Sequence, residues 1–186
     1  MNPELRRVIS SPLCESKTRF IAPVTVSLRK VFGAHETEDI ILCDAPGVGN
    51  TTGPEIDVAN GVGVIEALKQ FNSVKLLVLH SCRSLGDRGQ GIQKLAQLLI
   101  KMVNNIEYKL DSIFYTFTKY PPETNIYGLL LNIKKLKVDM DLTLQDGNTF
   151  VKVLSDMIVK TKGGVHIIDH IKGDRGVLIE QLRDLP

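Results

Sequence analysis

Cysteine is scarce in this chain of 186 residues, and no two of its three cysteines stand in a C-x-x-C spacing. Cys14, Cys43 and Cys82 are scattered and odd in number, which argues against a disulfide framework and points to reduced thiols. Cys43 lies in an apolar run and is expected as a small buried hydrophobe. Long hydrophobic runs are missing too. No stretch reaches the roughly 18 apolar residues of a membrane helix, and the start MNPELRRVIS has no secretory apolar core. The expectation is a cytoplasmic chain without a transmembrane segment. Excess charge of one sign is also absent: a net charge of +2 argues against a protein built chiefly to coat nucleic acid or an anionic membrane. His166 and His170 have an i, i+4 spacing that would suit a metal on a helix, but the surrounding VHIID reads as a strand, where that spacing does not converge.

What is present is ordinary globular composition, 43% hydrophobic and 24% charged, in a length sufficient for one core. Residues 1–23 carry three prolines and no sustained period and read as an irregular leader, so the ordered domain is expected over 24–186. VTVSLRKVF reads as a strand, GAHET as a turn and DIILC as its hairpin partner. VKLLVL at 74–79, SIFYTF at 112–117 and VHII at 165–168 are further runs apolar on both faces, as in a sheet covered by helices. Between them the apolar period becomes helical. One stripe is Ile92, Leu95, Ala96, Leu99, Met102 and Val103, a second Ile126, Leu129, Leu130 and Ile133, a third Phe150, Val151, Leu154, Met157 and Ile158. A further helix is expected from about Pro54 to Phe71, and a last one with Asp174 as N-cap and Val177, Leu178 and Leu182 buried. The fold class is therefore α/β: a doubly wound, mostly parallel sheet with one antiparallel hairpin strand.

Chemistry concentrates in DIILCDAPGVGNTTGPEID. A buried strand delivers Asp44 to its carboxyl end, where ligands bind in open α/β sheets. A carboxylate there can hold magnesium through water. Gly47, three residues on, can aim its backbone N–H at a terminal phosphate without side-chain obstruction. SLGDRGQG at 84–91 offers Asp87 and Arg88, but reads more simply as a turn leading into the next helix. A dinucleotide fingerprint is not met, since Gly47, Gly49 and Gly53 give G-x-G-x-x-x-G rather than G-x-G-x-x-G.

From about Val24 onward the chain resembles the septin-like and immunity-associated GTPases of the translation-factor-related class. DAPG resembles their Walker B and switch II element, VTVSL with Thr25 their switch I threonine (Thr18 being the alternative), and FTKYP at 117–121 their N/T-K-x-D base-recognition motif. The resemblance implies a P-loop NTPase-like fold and magnesium-dependent GTP binding and hydrolysis. It places Thr25 and Asp44 near magnesium, Gly47 at the γ-phosphate, and Thr118 and Lys119 at the base. Two departures stand out. Pro121 occupies the position of the base-reading aspartate and cannot accept the guanine N–H groups, which leaves Glu123 as the nearby carboxylate. No G-x-x-x-x-G-K-[ST] occurs, so the residues that would cradle the phosphates are not in this sequence. The expectation is a domain truncated before switch I, lacking the family's first strand and phosphate loop. It would bind guanine nucleotide weakly or not at all and be inactive as a hydrolase. In the family that first strand lies between DIILC and VKLLVL, so those two runs are expected to close directly onto one another, the alternatives being that the leader before Val24 fills the slot or that the exposed edges recruit another chain. The alternative is a non-catalytic GTPase-like scaffold that meets a protein partner, or itself, through the switch face, with no cofactor.

Overall fold

The computed structural model describes residues 21–45, 61–67, 69–85, 89–121, 123–138, 147–162, 167–168 and 175–185. The chain divides into two units, Met1–Val74 and Lys75–Pro186.

In the first unit, β1 (Ala22–Ser27) and β2 (Asp39–Asp44) form an antiparallel hairpin whose register runs from Ala22 opposite Asp44 to Ser27 opposite Asp39. The strand therefore begins inside the expected leader: Pro23 pairs opposite Cys43 in a ribbon of two edge strands, the setting in which a sheet tolerates a residue without an N–H. LRKVF does not continue the strand as expected. It forms a short helix, α1 (Leu28–Phe32), because the ladder ends at Ser27 and one helical turn buries Leu28. Gly33, at φ 110°, ends that turn in a conformation few other residues adopt. A helix at 61–67, α2, covers part of the stretch expected from Pro54 to Phe71 and buries Val64, while 54–60 lie outside the described residues.

The second unit holds a parallel sheet in the order β3 (Leu76–Ser81), β4 (Ile113–Thr118), β5 (Ile167–Ile168). Central β4 is buried from Ile113 to Phe117, as a strand with neighbours on both edges and cover on both faces must be. Its one polar interior residue, Thr116, donates to the Val78 carbonyl at 3.2 Å, which removes the cost of burying a hydroxyl. The chain between β3 and β4 forms α3 (Gln90–Met102), that between β4 and β5 forms α4 (Ile126–Val138) and α5 (Gly147–Lys162), and α6 (Arg175–Arg183) follows β5. Residues of the three expected stripes form the core: Ile92, Ala96 and Leu99 from α3, Ile126, Leu130 and Ile133 from α4, and Phe150, Leu154 and Met157 from α5 join Val78, Ile113, Tyr115 and Phe117, whereas Met102, expected in the first stripe, is exposed. On α6 the stripe is shifted. Ile179 and Leu182 are buried, whereas Val177 is exposed. Lys75 ties the end of that helix to the start of β3, donating to the carbonyls of Arg183, at 2.9 Å, and Leu185.

The fold is thus mixed α/β, with a small parallel sheet and an antiparallel hairpin. Among the described residues of each unit, β2 pairs with β1, and β3 pairs with β4. β2 is largely exposed: Ile41 is 48% exposed, and Cys43 is exposed rather than the buried hydrophobe expected.

A polar network fastens the amino end of β4 to α5. Lys160 donates to the carbonyls of Leu110 (2.5 Å) and Ile113 (2.8 Å), pairs with Asp156 at 3.1 Å and lies 5.5 Å from the Tyr115 ring centre, while the Tyr115 hydroxyl donates to Asp156 at 3.0 Å. Burial raises the Asp156 carboxyl above its ordinary value, and Lys160 opposes that rise. Lys160→Met should cost about 2 to 3 kcal/mol, since it leaves two carbonyls and a half-buried carboxylate without their cation. The deficit should shrink in acid, because a raised carboxyl contributes its stability while protonated and loses it as pH rises through its folded value. Urea unfolding of both proteins at acidic and neutral pH checks size and sign.

Candidate functional site at the carboxyl ends of the parallel strands

The last rung of the β3–β4 ladder is Ser81 opposite Thr118. Beyond it each strand turns toward the N-terminus of a helix. After β3, Ser81 Oγ accepts from the Arg83 N–H at 3.3 Å and opens a 3-10 turn over Cys82–Ser84. The Gly91 N–H then donates to Leu85 O at 2.7 Å, and Gly89, at φ 71°, precedes α3. Of SLGDRGQG, residues 84–85 close the 3-10 turn and 89–91 open the helix, while Asp87 and Arg88 lie outside the described residues. After β4 come Lys119, Tyr120 and Pro121, then a turn in which the Thr124 N–H donates to Pro121 O at 2.9 Å. Asn125 Oδ1 accepts from the Gly128 N–H at 2.8 Å, an N-cap for α4. Two helix N-termini, with their positive dipole ends, therefore stand at the carboxyl end of the sheet, the end at which open α/β folds bind ligands.

Thr118 and Lys119 are brought together here, Thr118 half-buried and Lys119 exposed. Lys119 has φ 60°, a left-handed backbone that is uncommon for a residue with a Cβ. Pro121 and Glu123 follow in the same turn, both exposed.

Beneath Lys119 lies a group that sequence reasoning missed. His80, 5% exposed, shares a 2.9 Å hydrogen bond through Nδ1 with the hydroxyl of Tyr120, also 5% exposed. Phe117 meets the Tyr120 ring edge-on at 5.8 Å and the His80 ring at 6.2 Å. Among the described residues His80 Nε2 is buried without a partner. Burial alone lowers the imidazole to about 4, and burial, followed by the nearby Cys82, pushes the phenol up to about 12. Both groups are neutral at pH 7. The signal in the sequence was a histidine closing the apolar run VKLLVLH at the end of a strand, and a tyrosine directly after Lys119.

The other candidates lie in the first unit or outside the described residues. Thr25 sits in β1 opposite Ile41, and Asp44 ends β2 opposite Ala22. Three rungs separate them, roughly 10 Å at about 3.4 Å per residue. An odd offset also puts them on opposite faces of the ribbon. Gly47, Thr18, His166 and His170 lie outside the described residues. Among the described residues no group of three His, Cys, Asp or Glu could hold a metal ion, and no helix is long and apolar enough to cross a membrane. Comparisons with protein-family models, with curated proteins and with solved structures find no match to this chain.

Proposed function

We propose that this chain is the switch and base-recognition part of a GTPase-like nucleotide-binding domain, with the carboxyl end of β4 as the nucleotide-facing edge and Thr118 and Lys119 as its base contacts. One observation carries the reading: a buried strand of a parallel sheet ends in an exposed lysine held at positive φ, at the end of the sheet where α/β folds bind ligands. The resemblance of FTKYP and DAPG to GTPase motifs supports the same assignment. Gly47 and Asp44 belong to the phosphate side in this reading. Magnesium and GTP are the cofactor and ligand of the parent activity.

These residues contain no phosphate-cradling loop, and that loop with its helix N-terminus supplies most of the grip on a triphosphate. Affinity for magnesium–GTP is therefore expected to be about 1 mM or weaker, roughly −4 kcal/mol. A titration of the isotopically labelled chain, followed by amide shifts and calorimetry, tests this. The expected result is weak, saturable perturbation centred on Thr118 and Lys119. A micromolar constant, or perturbation that spares those residues, overturns it.

A second reading, a non-catalytic interaction module, is favoured by the apolar surface of the first unit, where Ile41, Val62 and Ile65 are each about half exposed. Absence of any perturbation at millimolar nucleotide would select it.

A further inference from the structure

We propose that His80 and Tyr120 form a latch that sets the left-handed backbone at Lys119, making them positioning residues for this strand end; their meaning for a ligand rests on the nucleotide reading above.

The argument starts from strand alternation. Phe117 and His80 are partners in the β3–β4 register and so share a face of the sheet. Were β4 to continue extended, residue 119 would fall on that face and residue 120 on the other. The opposite happens. Tyr120 lies against Phe117 and His80, and Lys119 is exposed. The positive φ at Lys119 is what breaks the alternation: it throws the ammonium stem outward and folds the next ring back over the strand end.

A lysine does not choose this conformation by itself, because its Cβ crowds the following carbonyl there. It must be held from both sides. On one side, Thr118 is fixed by its ladder rungs with Ser81 and Ile168. On the other, Tyr120 is fixed by its ring packing, by the bond to His80, and by Pro121, which disfavours helical backbone at the residue before it. The hydroxyl–imidazole bond is the directional part of that hold, since ring packing alone would allow the phenol to slide.

The test uses the full, isotopically labelled chain without nucleotide. In Tyr120→Phe the coupling between amide and α protons and the Cα shift of Lys119 should move away from left-handed values. The amide at position 120 should exchange about tenfold faster, the equivalent of one lost hydrogen bond. Lys119→Gly supplies the rescue. Glycine accepts positive φ unaided, so in that background the same change should speed exchange by no more than about threefold. Should Tyr120→Phe not fold, His80→Phe removes the same bond while keeping a ring in place and is read identically. Unchanged coupling and exchange in the folded variant overturn the latch. Magnesium–GTP added afterwards separates the two ideas. A latch confirmed by the ligand-free signals, with no nucleotide perturbation at Thr118 or Lys119 in the parent chain, leaves the latch standing and refutes the nucleotide reading.

Discussion

Gly91→Ala is expected to destabilise the protein by about 3 kcal/mol, although an alanine in the first turn of a helix ordinarily stabilises by up to about 1 kcal/mol. A Cβ on Gly91 would lie 1.7 Å from the Ser84 carbonyl oxygen, 2.7 Å from its carbon and 3.0 Å from Leu85 O. Those are backbone atoms, and they cannot swing aside. Leu85 O is held at 2.7 Å by the Gly91 N–H itself, and the Leu85 N–H is held at 3.1 Å by Cys82 O. Relief would mean pulling the start of α3 off the 3-10 turn, breaking the first of those bonds and loosening the core around Ile92. At about 2 to 4 °C per kcal/mol for a chain of this size, the melting midpoint should fall by about 10 °C. Gly89→Ala provides the contrast. There the obstacle is a side chain, Ile133 Cδ1 at 2.3 Å, together with the strain of φ 71°. Ile133→Ala should recover part of the loss at position 89 through a coupling of about 1 kcal/mol, and none at position 91. Denaturant unfolding of the single and double variants decides, and a Gly91→Ala protein as stable as the parent would refute the close approach of the two backbones.

Why some of this was legible in advance follows from how locally each feature is encoded. SIFYTF announced a buried central strand because apolar residues on both faces have no other home, and Thr116 fits only by borrowing a carbonyl from β3. The stripes on α3, α4 and α5 were legible for the same reason, each being a periodic pattern several turns long. Shorter signals failed where a partner decided the outcome. VKLLVL placed its strand two residues early, since the ladder with β4 sets the bounds and carries His80 and Ser81 into the strand. LRKVF has strand-forming residues at Val31 and Phe32, yet burial of Leu28 and the stop at Gly33 favour a helical turn. DIILC has the composition of a doubly covered strand but lies in a two-stranded ribbon, which composition alone cannot reveal. At the candidate site, Thr118 and Lys119 could be placed by counting along β4. Tyr120 could not. Its face depends on the sign of one dihedral at Lys119, and lysine has no preference that would announce a left-handed turn. For Thr25 and Asp44 the motif gives residue types, whereas rung number and face come from the register.

Acid should weaken this protein through His80, and the sign follows from burial. The folded imidazole is lowered from an ordinary 6.5 to about 4 because the neutral ring is enclosed by Tyr120 and Phe117 and the cation would lose its water. A group depressed in this way contributes its stability fully above the unfolded value and loses it as pH falls from about 6.5 toward about 4, where the unfolded chain takes up a proton that the folded chain refuses. The full span of the shift corresponds to about 3 kcal/mol. Carboxylates titrate in the same interval, so unfolding of the parent alone would mix causes. Comparison with His80→Phe separates them: Asp156, Asp184 and the remaining carboxylates are present in both proteins and cancel in the difference. Near pH 7 the variant should be less stable by about 1 kcal/mol, the hydrogen bond to Tyr120 being lost. As pH falls the two curves should converge and then cross, the variant becoming the more stable protein near pH 4 because it has no imidazole to charge. Urea unfolding at half-unit pH steps reads the crossing directly. A stability difference that stays constant from pH 7 to pH 4 would mean that His80 reaches water when protonated, and the buried arrangement of His80, Phe117 and Tyr120 would then be wrong.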